Sequence, residues 1–159
     1  TGAFLTNMTS APNRGFDEKV VCRDFMGPHF EWDRTAVRRA TEFVEKHAGE
    51  RFFAWVHLMD PHEPYLPPPP FDKWAETYTG SFTGHPEQLE TLALDRTLEF
   101  GVADKDAILG LYDGQIASTD RYLAKLLASV GDSFVAMVAP MGIPFAMPLA
   151  IVMMSGSTP

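Results

Sequence analysis

Between Arg51 and Asp72 the chain reads RFFAWVHLMDPHEPYLPPPPFD, and no other stretch narrows its fold as much. From Phe52 to Met59 the run is apolar apart from His57, short, and without polar alternation. Those are the marks of a strand buried on both faces, as in a parallel sheet. Asp60-Pro61 ends the run, because proline has no N–H to give a strand ladder. Pro61, Pro64 and the four prolines 67–70 stiffen the next dozen residues. A strand expected over Arg51–Met59 therefore opens into a proline-fenced loop that carries His62 between Asp60 and Glu63.

The flanking segments fit an α/β arrangement. Asp33 reads as the N-cap of a helix that places Val37, Ala40, Val44 and Ala48 on one face and closes at Gly49. Helix followed closely by buried strand is α/β grammar. Residues 60–103 form a long irregular region, and loops of that length in a compact domain are usually functional. A second helix is predicted over 104–130, with Ile108, Tyr112, Ile116, Leu123 and Leu127 as its inner stripe, widened by Leu111, Leu126 and Val130. Gly110 and Gly114 each weaken its middle by about 1 kcal/mol relative to Ala, a cost that close packing against a neighbour would explain. Residues 1–30, rich in Gly, Pro, Asn and Thr, read as loops with one short strand.

From Phe134 to Met154 the chain is uncharged and almost wholly apolar, long enough to count as a membrane-span candidate. Pro140, Pro144 and Pro148 argue against any good helix there, and flanking basic or aromatic anchors are lacking, so a membrane role is not expected.

At 159 residues with a net charge of −8, one domain with a real core is expected, and no basic patch supports nucleic-acid binding. The single cysteine, Cys22, excludes an internal disulfide framework and a multi-cysteine zinc site. The start lacks the pattern of a signal peptide and does not begin with Met, which suggests a beginning partway through a longer protein.

On residues alone His62 has three readings: a metal ligand, a general acid or anion contact, or an ordinary exposed histidine in a turn. The first is weakened because His29, His47, His57 and His85 show no ligand spacing with it. Its place favours the second, since ligands of open α/β sheets bind beyond the carboxyl ends of strands. Asp60 and Glu63 are placed to orient the imidazole, and Tyr65 either shapes the pocket or packs on Pro67.

FFAWVHLMDPHEPYLPPPPFD resembles the sulfatase family of the alkaline phosphatase superfamily, in which a buried strand runs into an Asp-Pro-His-x-Pro-Tyr loop followed by prolines. LYDGQIASTDRYLAKLL, TGAF at the start and GFD at Gly15–Asp17 resemble other segments of that family, so the likeness covers most of residues 1–132. Gln115 stands where the family commonly has Glu and reads as peripheral to the chemistry. The resemblance implies part of a mixed, mostly parallel sheet flanked by helices, incomplete in this chain, with exposed sheet edges and poor solubility expected. It also implies hydrolysis of a sulfate ester, on a small molecule or a sulfated carbohydrate, by a formylglycine made from the Cys or Ser of a Cys/Ser-x-Pro-x-Arg motif. Calcium or another divalent cation would assist, with no complete site for it in this chain.

By resemblance His62 is the sulfate contact, with Asp60 and Tyr65 as further pocket candidates. The letters Ser10-Ala11-Pro12-Asn13-Arg14 mimic the nucleophile motif in the wrong context and are not read as the nucleophile. The family's early Asp-Asp pair and late Ser-Asp-His-Gly-Glu segment are missing. A sulfatase-like unit over 1–132 and an aberrant tail over 133–159 are therefore expected, the tail being the mark of a shifted reading frame. Alone, such a chain is expected to be catalytically inert. A phosphate or phosphonate ester hydrolase of the same superfamily, or a non-catalytic binding module, remain the alternatives.

Overall fold

The computed structural model describes residues 1–6, 14–22, 29–75, 77–85, 87–88, 91, 101–131, 134–138 and 149–155. In chain order the elements are β1 (Gly2–Leu5), β2 (Glu18–Val21), α1 (His29–Lys46), β3 (Phe52–Leu58) and a 3-10 turn (Phe71–Ala75). They continue with α2 (Val102–Val130), β4 (Phe134–Val138) and β5 (Leu149–Ser155).

The strands form one sheet in the order β2-β1-β3-β5-β4. β1 pairs in parallel with β2 and β3, whereas β5 runs antiparallel to both β3 and β4. Only β5 therefore opposes the common direction, which makes the sheet mixed and mostly parallel. Leu5 pairs with His57, so β1 and β3 end on the same side and the proline loop leaves from that rim.

One core joins this sheet to its helices: Phe4, Ala54, Val56, Leu58, Ile151 and Met153 meet Ala36, Val37, Ala40, Phe43 and Val44 of α1 and Leu123, Leu126 and Val130 of α2. Complete burial of side chains such as Leu58 and Leu126 stabilises the fold by about 1.5–3 kcal/mol each. β3 is not sealed on both faces as its apolar run predicts. Phe52, Ala54, Val56 and Leu58 are buried, while Phe53 and Trp55 opposite them are half-buried. Both helices contribute to the core on the first face, and of the aromatic contacts described, Phe53 on the second meets only Phe16.

α1 begins four residues before Asp33, so Asp33 is not its N-cap. The side chain lies on the buried face with Trp32, Ala36, Val37 and Ala40. Ala48, beyond the helix, is exposed.

α2 also differs from its predicted inner stripe. Ile116 and Leu127 are 43% and 41% exposed, and the middle of the helix buries Gly114, Gln115, Ser118 and Thr119 instead. The neighbour dictates this. A Cβ at position 114 would collide with the Phe71 carbonyl and press on the Pro67 ring, so small side chains let the proline loop close on the helix. Gly114→Ala is accordingly expected to destabilise the chain by about 1–3 kcal/mol, although alanine is the better helix former. Urea unfolding of the two chains measures the difference.

Within the apolar tail, 134–138 and 149–155 are strands, and Ile151 and Met153 are fully buried. The three tail prolines fall between these strands, outside the described residues. Among the described residues no helix is long and apolar enough to cross a membrane.

Candidate functional site

Beyond Leu58 the chain turns at Met59–His62, where the His62 amide donates to the Met59 carbonyl at 3.0 Å. This turn is held from below by Asp33 of α1. Its Oδ1 accepts the Met59 N–H at 2.7 Å, and its Oδ2 accepts the Asp60 N–H at 2.9 Å. A carboxylate is suited to the position because it offers two acceptors to two amides that have left the sheet ladder.

Gln115 of α2 supplies a second anchor. Its Nε2 donates to Asp60 Oδ1 at 3.2 Å and to the Pro64 carbonyl at 2.8 Å. The residue read as peripheral thus lies directly beneath the loop, 1% exposed. Tyr65 comes next, its amide donating to the Gly84 carbonyl and its ring edge-on to Tyr112 of α2 at 5.6 Å. Burial raises the pKa of its phenol, with the Glu63 charge adding to the shift.

Between these anchors His62 projects with a 27% exposed side chain. Its Nδ1 lies 2.8 Å from the Glu63 carbonyl and 3.2 Å from Glu63 Oε2. A carbonyl only accepts, so Nδ1 carries the hydrogen and Nε2 is the nitrogen left for a ligand. Glu63, rather than Asp60, is the acid beside the imidazole. Asp60 instead has His29 as its neighbour, with Nδ1 4.0 Å from Oδ1, and the His29 and His62 rings stand edge to face at 6.0 Å. The fold brings together His29 and His62, which lack any regular spacing in sequence.

Asp60 is 1% exposed, so it lies behind His62 rather than at the surface of the loop. Burial, and then the charge of Asp33, push its carboxyl up to about 8. Burial also raises Asp33, to about 7, against the opposing pull of the Met59 and Asp60 amides. The pair therefore avoids double ionisation near neutrality. Asp33, with two N–H donors, is the better host for the negative charge, and a neutral Asp60 suits an Oδ2 that has no hydrogen-bond partner among the described residues.

Because both pKa values are raised, the folded chain holds protons that the unfolded chain releases above its ordinary carboxyl pKa of 3.8. The stabilisation from this pair is complete below that value and is lost as pH rises through about 7 and 8. Asp60→Asn, which cannot ionise, is expected to flatten the decline. Urea midpoints from acid to mildly alkaline pH test this, and an unchanged pH profile in the variant would contradict it.

His57, the other histidine of the strand-and-loop stretch, belongs to the core. It is 3% exposed, and its Nδ1 lies 3.1 Å from Thr6 Oγ1, whose hydroxyl donates to the His57 carbonyl at 3.2 Å. Nδ1 then donates to Thr6, Nε2 keeps a lone pair, and burial lowers the ring pKa, so the imidazole is neutral.

Of the aromatic residues in the long loop, Tyr78 donates to Asp104 and accepts the Phe82 N–H, and Phe82 is buried. Both serve the packing of that loop. Ser10 to Asn13 lie outside the described residues. Among the described residues no group of three or more His, Cys, Asp or Glu is arranged to hold a metal ion.

The Sulfatase family model matches residues 2–137 of the chain. No curated protein and no solved structure matches.

Proposed function

Because the chain belongs to the sulfatase family, we propose that its Asp60–Tyr65 loop presents His62 to the sulfate group of a sulfate ester. The observation that carries this is the Nδ1 contact with the Glu63 carbonyl, which commits one ring nitrogen to the loop and leaves Nε2 for the ligand. Sulfate oxygens accept hydrogen bonds and donate none. With Nδ1–H on the Glu63 carbonyl, His62 serves them from Nε2 only as the imidazolium. The same Nε2 proton is the one this residue can pass to the oxygen of a departing alcohol. Asp60 acts from behind the loop, and Tyr65, seated on Tyr112, walls the same end of it.

In this reading a formylglycine would supply the attack on sulfur and a divalent cation, calcium by preference, would neutralise sulfate oxygens, with none of the described residues assigned to hold either. The described residues do not fit a site for that cation. Asp33 is occupied by two amides, and the one bonded oxygen of Asp60 by Gln115. The substrate class is a sulfated small molecule or carbohydrate.

The test is a calorimetric titration of the chain with inorganic sulfate at about pH 5.5 and about pH 8.5, bracketing the range in which imidazoles change charge. Binding at the lower pH that weakens at the higher is expected. Absent or pH-independent binding would overturn the reading, and equal binding of inorganic phosphate would favour the phosphate-ester alternative.

A further inference from the structure

The contacts of Gln115 bracket His62 without touching it. Gln115 Nε2 reaches Asp60 Oδ1 at 3.2 Å, two residues before His62, and the Pro64 carbonyl at 2.8 Å, two residues after it. Asp33 fixes the Met59 and Asp60 amides on the entering side. Proline has no N–H, so the carbonyl is the one hydrogen-bonding group Pro64 can offer. Gln115 takes it. Between the anchors lie Pro61, His62 and Glu63, all half-buried, and the Glu63 carbonyl that sets the His62 ring adjoins the Pro64 nitrogen. A shift of Pro64 therefore carries the ring's partner with it.

We propose that Gln115 is the positioning residue that holds His62 in register for an anion, its amide donating to the two oxygens that face Nε2. This rests on the reading of His62 as the sulfate contact. A glutamate has no N–H. Ionised, it would set a further anionic oxygen against the Pro64 carbonyl and Asp60; protonated, it regains one donor. The titratable groups around this point, among the described residues, are Asp60, Glu63 and His62 of the loop and Asp33 and His29 of α1.

The experiment compares wild type, Gln115→Leu and Gln115→Glu by imidazole proton–nitrogen NMR, with inorganic sulfate as the probe. In wild type at about pH 8.5, where imidazoles are neutral, the His62 proton is expected on Nδ1. Gln115→Leu is expected to move it towards Nε2, and to weaken the sulfate response of the ring at about pH 5.5 by about 3- to 10-fold, the range for one lost hydrogen bond. Gln115→Glu is expected to match wild type at the lower pH and Gln115→Leu at the higher. Sheet amide resonances report whether each variant is folded.

A folded Gln115→Leu chain with the wild-type tautomer and sulfate response would overturn the proposal. If that variant does not fold, Gln115→Glu decides: wild-type behaviour at both pH values overturns it, and loss at the higher pH alone supports it. If wild type ignores sulfate but the Gln115 variants still move the tautomer, the positioning role stands and the sulfate reading falls.

Discussion

Asp33→Ala is expected to destabilise the chain by about 2–6 kcal/mol, since a buried donor left without its partner costs about 1–3 kcal/mol and two are released here. The Met59 and Asp60 amides have already left the β3 ladder, and Asp33 is the acceptor for each. Removing the carboxyl also removes the cost of burying its charge. That offset is largest above its raised pKa of about 7 and absent in acid, so the loss should be greatest at low pH. Asp33→Asn keeps one carbonyl acceptor and is expected to lose about half as much. Urea unfolding near pH 5 measures all three chains. A change below about 0.5 kcal/mol for the alanine variant, the size of an ordinary surface substitution, would mean that the Asp33 side chain does not hold the turn.

His62→Asn is expected to weaken the binding of inorganic sulfate by about 10- to 100-fold at acid pH, the equivalent of one hydrogen bond from a charged donor. Asparagine retains polarity and loses the cation. The side chain is 27% exposed and, among the described residues, hydrogen-bonded within its own loop, so the fold should survive the exchange. His47→Asn is the control. That imidazole sits just beyond the end of α1 beside Glu50, at 2.9 Å, and its loss should leave sulfate binding unchanged. Equal losses in the two variants would reduce the effect to net charge rather than to a site.

The β3 strand and the His62 loop were legible because their signals are local. A short apolar run and an Asp-Pro step fix β3 and its end wherever they occur, and the loop motif carried the family resemblance. The groups that hold the loop were less legible, because they come from elsewhere in the chain. Asp33 carries the letter of a helix cap, and its sequence pattern does not reveal that α1 starts a turn earlier. Gln115 sits on a helix whose large apolar residues mark one face while the proline loop selects another. Hydrophobic periodicity rewards Ile116 and Leu127, but contact with Pro67 and Phe71 needs Gly114 and the small residues near it. The small residues at 110, 114 and 118 were the available signal, and Gln115 adjoins them. His29 joins His62 only through the placement of α1 against the loop, a long-range fact that spacing does not encode. In the tail the described parts, 134–138 and 149–155, are strands that arise from pairing with β3 and with each other, while the prolines lie outside the described residues.

The most direct test of His62 as the sulfate contact is a crystal structure of the chain with an aryl sulfate bound at acid pH. The expected result is a sulfate oxygen within hydrogen-bonding distance of His62 Nε2, with Nδ1 still on the Glu63 carbonyl and Pro64 still held by Gln115. A sulfate group bound away from the loop, or a His62 ring turned so that Nε2 faces the protein, would contradict it.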